Sequence, residues 1–257
     1  LANIIMNGSA GLDQKIDARR QLQSLFATAQ LGYNEFVYLD LSARNDWSST
    51  LAYTSHEKSG FFYPSVGFSL IFNKLMTLPR WVSLAKIRGA YSMVGNDIPM
   101  FITNPSSHIT AGGEFLASDA APFKDMEPEM THSFEAGIEA RFLKNRIGLN
   151  ATFYKTNTRN QFFKLPTLSG DKYAYRYVNA GNIQNVGWEV SLDAVPLLTN
   201  HFKWKTEVNF STNRNKIISL HEALKEFLYG PTSFSSSYAM KLVKGGSIGD
   251  IYGKAFV

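Results

Sequence analysis

Between Phe134 and Phe142 every even position is apolar and every odd position is charged or glycine, in the run Phe134-Glu135-Ala136-Gly137-Ile138-Glu139-Ala140-Arg141-Phe142. Successive side chains of a strand point to opposite faces, so such a run makes a ribbon with one oily face and one wet face. The pattern recurs. Ile147, Leu149, Ala151 and Phe153 oppose Gly148, Asn150 and Thr152; Trp188, Val190, Leu192 and Ala194 oppose Glu189, Ser191 and Asp193. Phe202, Trp204, Val208 and Phe210 oppose Lys203, Lys205, Glu207 and Asn209, with Thr206 interrupting the apolar side. Earlier in the chain, Val37, Leu39, Leu41 and Ala43 oppose Tyr38, Asp40, Ser42 and Arg44. Helical spacing fits none of these windows.

Ribbons of this kind need something to cover the oily face. Of the 257 residues 44% are hydrophobic and 18% charged, and no stretch approaches the ~18 unbroken apolar residues of a membrane-spanning helix. A barrel wall needs only every second residue to face lipid, so its hydropathy looks ordinary. Cysteine is absent, which excludes disulfide frameworks and thiol catalysis. The 26 Lys and Arg are scattered among 21 acids for a net charge of +5, without the basic run that tracks a nucleic-acid backbone. Leu1-Ala2-Asn3-Ile4-Ile5-Met6 has neither an initiator Met nor the charged and apolar regions of a signal peptide, so the chain reads as an internal piece of a longer polypeptide.

Strands are expected at 21–32, 35–45, 61–72, 84–94, 132–142, 146–163, 183–195 and 202–216. Their lengths suit tilted strands that cross a bilayer in about 9 to 11 residues. Connections alternate between tight, at Gly32 to Asn34 and Leu143 to Asn145, and long, at Gly95 to Thr131 and Lys164 to Asn182. Phe134, Phe142, Trp188, Phe202, Trp204 and Phe210 fall near strand ends, where interfacial aromatics belong. The fold expected is all-β, an antiparallel transmembrane β-barrel wall of eight or nine strands. Residues 1–20 form a lead-in, 21–217 the barrel strands with their loops, and 218–257 a loop, a short helix at Ser219 to Phe227 and the start of a further strand. The alternative is a soluble or surface-attached β-sheet carbohydrate-binding module, with Phe134, Ile138, Trp188 and Trp204 buried between two sheets.

Several segments resemble the SusC/RagA-like branch of the TonB-dependent outer-membrane receptors. They are Tyr38-Leu39-Asp40-Leu41-Ser42-Ala43-Arg44-Asn45-Asp46-Trp47-Ser48-Ser49-Thr50-Leu51; Phe62-Tyr63-Pro64-Ser65-Val66 followed by Ala85 to Asn96; Pro128-Glu129 with Phe134-Glu135-Ala136-Gly137; and Val178-Asn179-Ala180-Gly181-Asn182-Ile183-Gln184-Asn185-Val186-Gly187-Trp188-Glu189. Four motifs in order are more specific than any one of them. The resemblance implies the later part of a barrel of about 22 strands, preceded in the family by a signal peptide and a plug that contacts TonB. It also implies uptake of an oligosaccharide or peptide across the bacterial outer membrane, with a SusD-like surface lipoprotein as partner.

No catalytic constellation, metal-ligand cluster or cofactor motif is evident, and the chain is read as no enzyme. The histidines His56, His108, His132, His201 and His221 are isolated in sequence, and Gly245-Gly246-Ser247-Ile248-Gly249 lacks the spacing and the Lys of a phosphate loop. The charged positions Glu135, Glu139, Arg141, Glu189 and Asp193 are expected to face the lumen, as are Lys203, Lys205 and Glu207, with Lys203 and Lys205 also suited to the periplasmic mouth; Phe134, Phe142, Phe153, Trp188, Trp204 and Phe210 are expected to face lipid. In Lys172-Tyr173-Ala174-Tyr175-Arg176-Tyr177 three tyrosines fall on one side of an extended loop segment. Tyr173, Tyr175 and Tyr177 with Arg176 are therefore candidate ligand contacts, flat rings with hydroxyl handles; the plainer reading is that they extend the hairpin above the membrane. His108, Phe115, Phe123 and Tyr229 are weaker candidates.

Overall fold

The computed structural model describes residues 2–7, 11–16, 19–55, 57–58, 60–105, 107–109, 113–124, 126–167, 170–179, 181–220, 226–229 and 238–253. Eight long strands pair edge to edge in chain order: β1 Leu22–Tyr33, β2 Val37–Ser48, β3 Phe61–Ile71, β4 Val82–Asn96, β5 Glu129–Phe142, β6 Ile147–Arg159, β7 Asn182–Leu198 and β8 Lys203–Ser219. Every pairing between them is antiparallel. All eight expected strands form, with ends displaced by a few residues.

Register carries the alternation across the whole sheet. One cross-strand row reads Tyr33, Val37, Leu70, Ile87, Ile138, Ala151, Val190, Phe210, apolar on all eight strands. The neighbouring row holds Lys86, Glu139, Asn150, Ser191 and Asn209 on β4 to β8. A slip of one residue in any pairing would exchange the two faces. Ile138, Trp188 and Trp204 are 46%, 50% and 54% exposed, so no second sheet covers them. That excludes the sandwich.

Tight connections gather on one edge. Asn34 and Glu35 take left-handed φ values of 45° and 57°, and Phe36 N–H closes the turn onto Tyr33 O at 3.1 Å, a backbone twist that matches the strands. Leu143, Lys144 and Asn145 are likewise left-handed, and the β7–β8 turn closes with Thr199 N–H on Phe202 O at 2.8 Å. The segment 72–81 contains one helical turn, Phe72–Leu75. Segments 49–60, 97–128 and 160–181 emerge on the opposite edge.

Two small apolar cores sit on that loop edge. Leu51, Phe61, Ile98, Ile102 and Met126 form one; Phe163, Leu165, Ile183, Ile217 and Leu242 form the other. The second explains two departures from expectation. The strand expected over 146–163 stops at Arg159, because Asn160 turns left-handed (φ 57°) and sends Phe162–Pro166 away to pair with Tyr175–Asn179, where Phe163 and Leu165 are buried. Near the other end, Ser219 closes β8 and Glu226–Tyr229 is a strand, so neither end of the helix expected over 219–227 is helical; 221–225 lie outside the described residues. Ile251–Gly253 adds no ninth strand to the wall. It pairs with Tyr238–Val243 in a separate three-stranded sheet, held down by Leu242 in the core and by Gly245 N–H on Ile217 O at 2.8 Å.

Candidate functional site

The polar face is organised by arginines that reach over glycines. Arg141 Nη1 on β5 crosses Gly148 on β6 to meet both oxygens of Asp193 on β7 at 2.8 and 3.0 Å. Arg88 on β4 crosses Gly137 on β5 and donates to Thr152 Oγ1 on β6 at 2.7 Å. A Cβ on either glycine would collide with the arginine, which is why the alternation has glycine at these places. Glu139 lies 3.9 Å from Arg141, too far for a close pair, and Glu135 and Glu189 make no ion pair among the described residues. Of the expected lumen group, the fold thus joins Arg141 with Asp193, half-buries Glu139 beside them and leaves Glu135 and Glu189 exposed. Lys205 lies 3.6 Å from Glu207 near the turn edge.

The apolar face has aromatic rings at both ends. Tyr33 and Phe36 meet edge to face at 5.5 Å, Trp81 stacks on Phe142 at 5.6 Å, and Phe202 and Trp204 are exposed beside them on the turn edge. Towards the loops stand Trp47, Phe62, Tyr91 and Phe134, with Phe153 and Trp188 in contact at 5.1 Å. Between the two bands the side chains are mostly Leu, Ala, Val and Ile, with Phe68 on β3 level with Leu39 and Phe210 on β8 one row below Trp188.

The strand–loop boundary at the end of β2 is closed by one carboxylate. Asp97 accepts from Ser48 Oγ at 2.7 Å, from Thr50 Oγ1, from the Arg20 guanidinium and from Ile98 N–H, so three chain segments end on a single side chain. Asp46, 7% exposed, accepts from Arg44 Nε at 2.7 Å and Tyr63 Oη at 3.1 Å. The Arg-Asn-Asp-Trp-Ser-Ser segment is therefore a clasp for the loop edge. Asn179 does the same for the next loop, donating to Asn160 O and Glu127 O at 2.7 and 2.8 Å and accepting from Glu127 N–H.

Tyr175 and Tyr177 lie on one side of the strand Tyr175–Asn179 with rings perpendicular at 5.8 Å, whereas Tyr173 precedes that strand. Lys164 Nζ covers the Tyr175 ring at 3.5 Å, and Tyr177 packs against Phe162 and the Leu51/Met126 core. Burial pushes the Tyr177 phenol up from its ordinary range, with Tyr175 adding to the shift. Arg176 is exposed. Phe123 packs on the same core, and Phe115 is exposed; the side chains of His108 and Tyr229 lie outside the described residues. His132 Nδ1 lies 2.8 Å from Tyr91 Oη, His201 sits in the β7–β8 turn, and His56 and His221 are outside the described residues. No group of three metal-ligating side chains is present among the described residues.

A feature with no signal in the sequence lies beside the clasp. Tyr53 and Phe101 come from two different loops, are 71% and 51% exposed, and both hold left-handed backbone, φ 69° and 68°. Bulky residues rarely adopt that conformation, which is kept only where the surroundings impose it. The two rings border a cavity of about 290 Å³, with Arg19, Ser49, Met100 and Asn104 on its walls.

A single antiparallel layer in chain order, apolar on one face and polar on the other, with turns on one edge and long loops on the other, is the wall of a transmembrane β-barrel. The family model for "TonB dependent receptor-like, beta-barrel" matches residues 3–230, and the chain belongs to that family of outer-membrane transporters. It is 26% identical over 208 residues to TonB-dependent receptor P39 of Formosa agariphila, covering 77% of this chain and 20% of the relative. TonB-dependent receptor SusC of Bacteroides thetaiotaomicron is 25% identical over 228 residues, covering 79% and 22%. The chain spans about a fifth of the length of these curated relatives. Its fold is similar to the RagAB peptide importer in the "open-open" state, with a TM-score of 0.77 at 22% identity, covering 94% of this chain and 26% of that one.

Proposed function

We propose that this chain forms part of the wall and outer rim of a SusC-like nutrient importer, in which TonB, acting through a plug, drives uptake of an oligosaccharide or peptide and a SusD-like lipoprotein closes the loop side. Phe134, Phe142, Phe153, Trp188, Trp204 and Phe210 face lipid; Glu135, Glu139, Arg141, Glu189 and Asp193 face the lumen. The observation that carries this reading is the uncovered apolar face of a one-layer sheet whose long loops all leave from one edge. A charge facing mid-bilayer lipid costs ~2–4 kcal/mol for Arg or Lys, so the face bearing Arg88, Arg141 and Lys86 belongs to the aqueous side. The barrel does no chemistry of its own; it holds a rim.

On that rim, Tyr53 and Phe101 are the ligand platform, and Tyr173, Tyr175 and Arg176 contribute from the neighbouring loop, with Tyr177 as their support. In cells depending on the full receptor, uptake of labelled oligosaccharide or of labelled peptide should vanish when either the receptor or TonB is removed. Replacing Tyr53 and Phe101 together by Ala should weaken binding roughly tenfold while the amount of receptor in the outer membrane stays unchanged. Uptake of both substrate classes that persists without TonB would sink the importer reading. Unchanged affinity in the double variant, and in the triple variant Tyr173→Ala, Tyr175→Ala, Tyr177→Ala, would remove these loops from the site.

A further inference from the structure

Charge on the apolar face is confined to one end and has one sign. On β4 to β8, the rows from Val82–Thr206 up to Gly89–Thr212 contain no charged residue. The next row, level with Phe134, has Lys155 on β6 and Arg214 on β8 flanking Val186; the row above it has His132 and Lys216, and the one above that Arg159. No Asp or Glu stands on this face in those three rows. The chain contains 26 basic and 21 acidic residues, so its overall balance does not produce such segregation.

These cations are also unspent. Lys155, Arg159, Arg214 and Lys216 are exposed, and none forms an ion pair among the described residues. The positions between them are amides bonded to one another: Asn157 Nδ2 donates to Asn182 Oδ1 at 2.9 Å, and Gln184 Nε2 to Asn157 Oδ1 at 3.3 Å. Strands lie about 4.8 Å apart, so Lys155 and Arg214, two strands apart, are separated by roughly 10 Å at the backbone, a span that two long side chains close on one phosphate. Directly below lie Phe153 and Trp188, the rings of the loop-side aromatic band.

From this we infer that Lys155, Arg159, Arg214 and Lys216 form a belt that binds the phosphate groups of a phosphorylated glycolipid in the outer leaflet, whose acyl chains lie against the rows below. The inference rests on the lipid-facing orientation of the apolar face proposed above. Anionic head groups attract each nearby Lys or Arg at a membrane surface, and guanidinium groups hold phosphate through paired hydrogen bonds.

The test uses the full receptor carrying this chain, purified in neutral detergent and titrated with lipid A in its phosphorylated and dephosphorylated forms, with retained lipid counted by native mass spectrometry. The wild type should retain the phosphorylated form and release it as salt rises. Combined Lys155→Gln, Arg159→Gln, Arg214→Gln and Lys216→Gln should weaken retention at least tenfold, whereas Lys144→Gln with Arg146→Gln at the turn edge should leave it unchanged. Retention of the heat-shifted band in SDS gels establishes that each variant is folded; a quadruple variant that fails this check is replaced by the pair Lys155→Gln, Arg214→Gln, for which a weakening of about threefold is expected. Equal retention of both lipids, or by the folded variant and wild type, overturns the inference. A wild-type receptor that stays monodisperse without detergent overturns the lipid-facing reading itself.

Discussion

At the scale of single residues, the wall depends on pairing a missing side chain with a large one. Gly187 on β7 faces Tyr154 on β6, and a Cβ there would press into Tyr154 Oη and into the Thr212 carbonyl oxygen of β8. The ring thus lies flat across the neighbouring strand, and backbone on the far side leaves no route for relaxation. Gly89 stands in the same relation to Phe68, and Gly95 to Tyr63. Gly67 differs: the nearest atoms to its Cβ position are Asp40 Cβ at 3.7 Å and Gly89 O at 3.9 Å. Gly187→Ala should therefore destabilise the barrel by about 1–3 kcal/mol, the usual range for overpacking. Gly67→Ala should change it by less than about 0.5 kcal/mol. The temperature at which the folded band converts to the unfolded band in SDS gels measures both; equal transitions would contradict the overlay.

At the scale of elements, the sheet is continuous at the turn edge and parts at the loop edge. Pairing of β3 with β4 ends at Ser65 and Ser92, one residue short of Pro64, which has no N–H to give a ladder. Beyond it Phe61 to Pro64 remain paired with β2 alone, and Met93 to Asn96 with β5 alone. Leu51, Ile98, Ile102 and Met126 form the core at this loop edge, and Asp97 ties it to Ser48, Thr50 and Arg20. Asp97→Ala removes the acceptor that the buried Ser48 and Thr50 hydroxyls share, leaving them only their bond to each other, and should cost about 2 kcal/mol locally. Proteolysis in 97–128 should accelerate while the wall, read as heat-shifted mobility, persists. An unaltered cleavage rate would show that the clasp is not what orders these loops.

For the whole molecule, the orientation proposed above makes the two faces divide two solvents. Ile138→Arg places a charge in the middle of the apolar face and should cost ~2–4 kcal/mol, lowering the amount of assembled receptor in the outer membrane. Glu139→Gln, one residue along on the opposite face, should leave assembly at wild-type level. If the Arg variant assembles normally, the apolar face is not in lipid. The orientation also assigns the belt around Lys155 and Arg214 to the same leaflet as the loops, since both lie at the upper ends of the strands.

How much of this could be read from the sequence follows from the range of the forces involved. Strand identity and the choice of face are written in a two-residue period, and a run such as Phe134 to Phe142 states both without reference to any distant residue. The alternation of turn and loop lengths is equally local, so the edge from which the loops rise was legible too. Contacts that join residues far apart in the chain were not. Asn160 breaks a segment that looked like continuous strand because Phe163 and Leu165 gain burial against Ile183, Ile217 and Leu242. Tyr53 and Phe101 meet at one cavity because Asp97, the Thr103 hydroxyl on Thr50 O and the Leu51/Ile98/Ile102 core join their two loops at the end of β2, and Tyr177 is a packing residue rather than a free ring because Phe162 and Met126 reach it. Local periodicity determined the wall; the rim was decided by burial and hydrogen bonds closed over long sequence separations, which no short window of residues encodes.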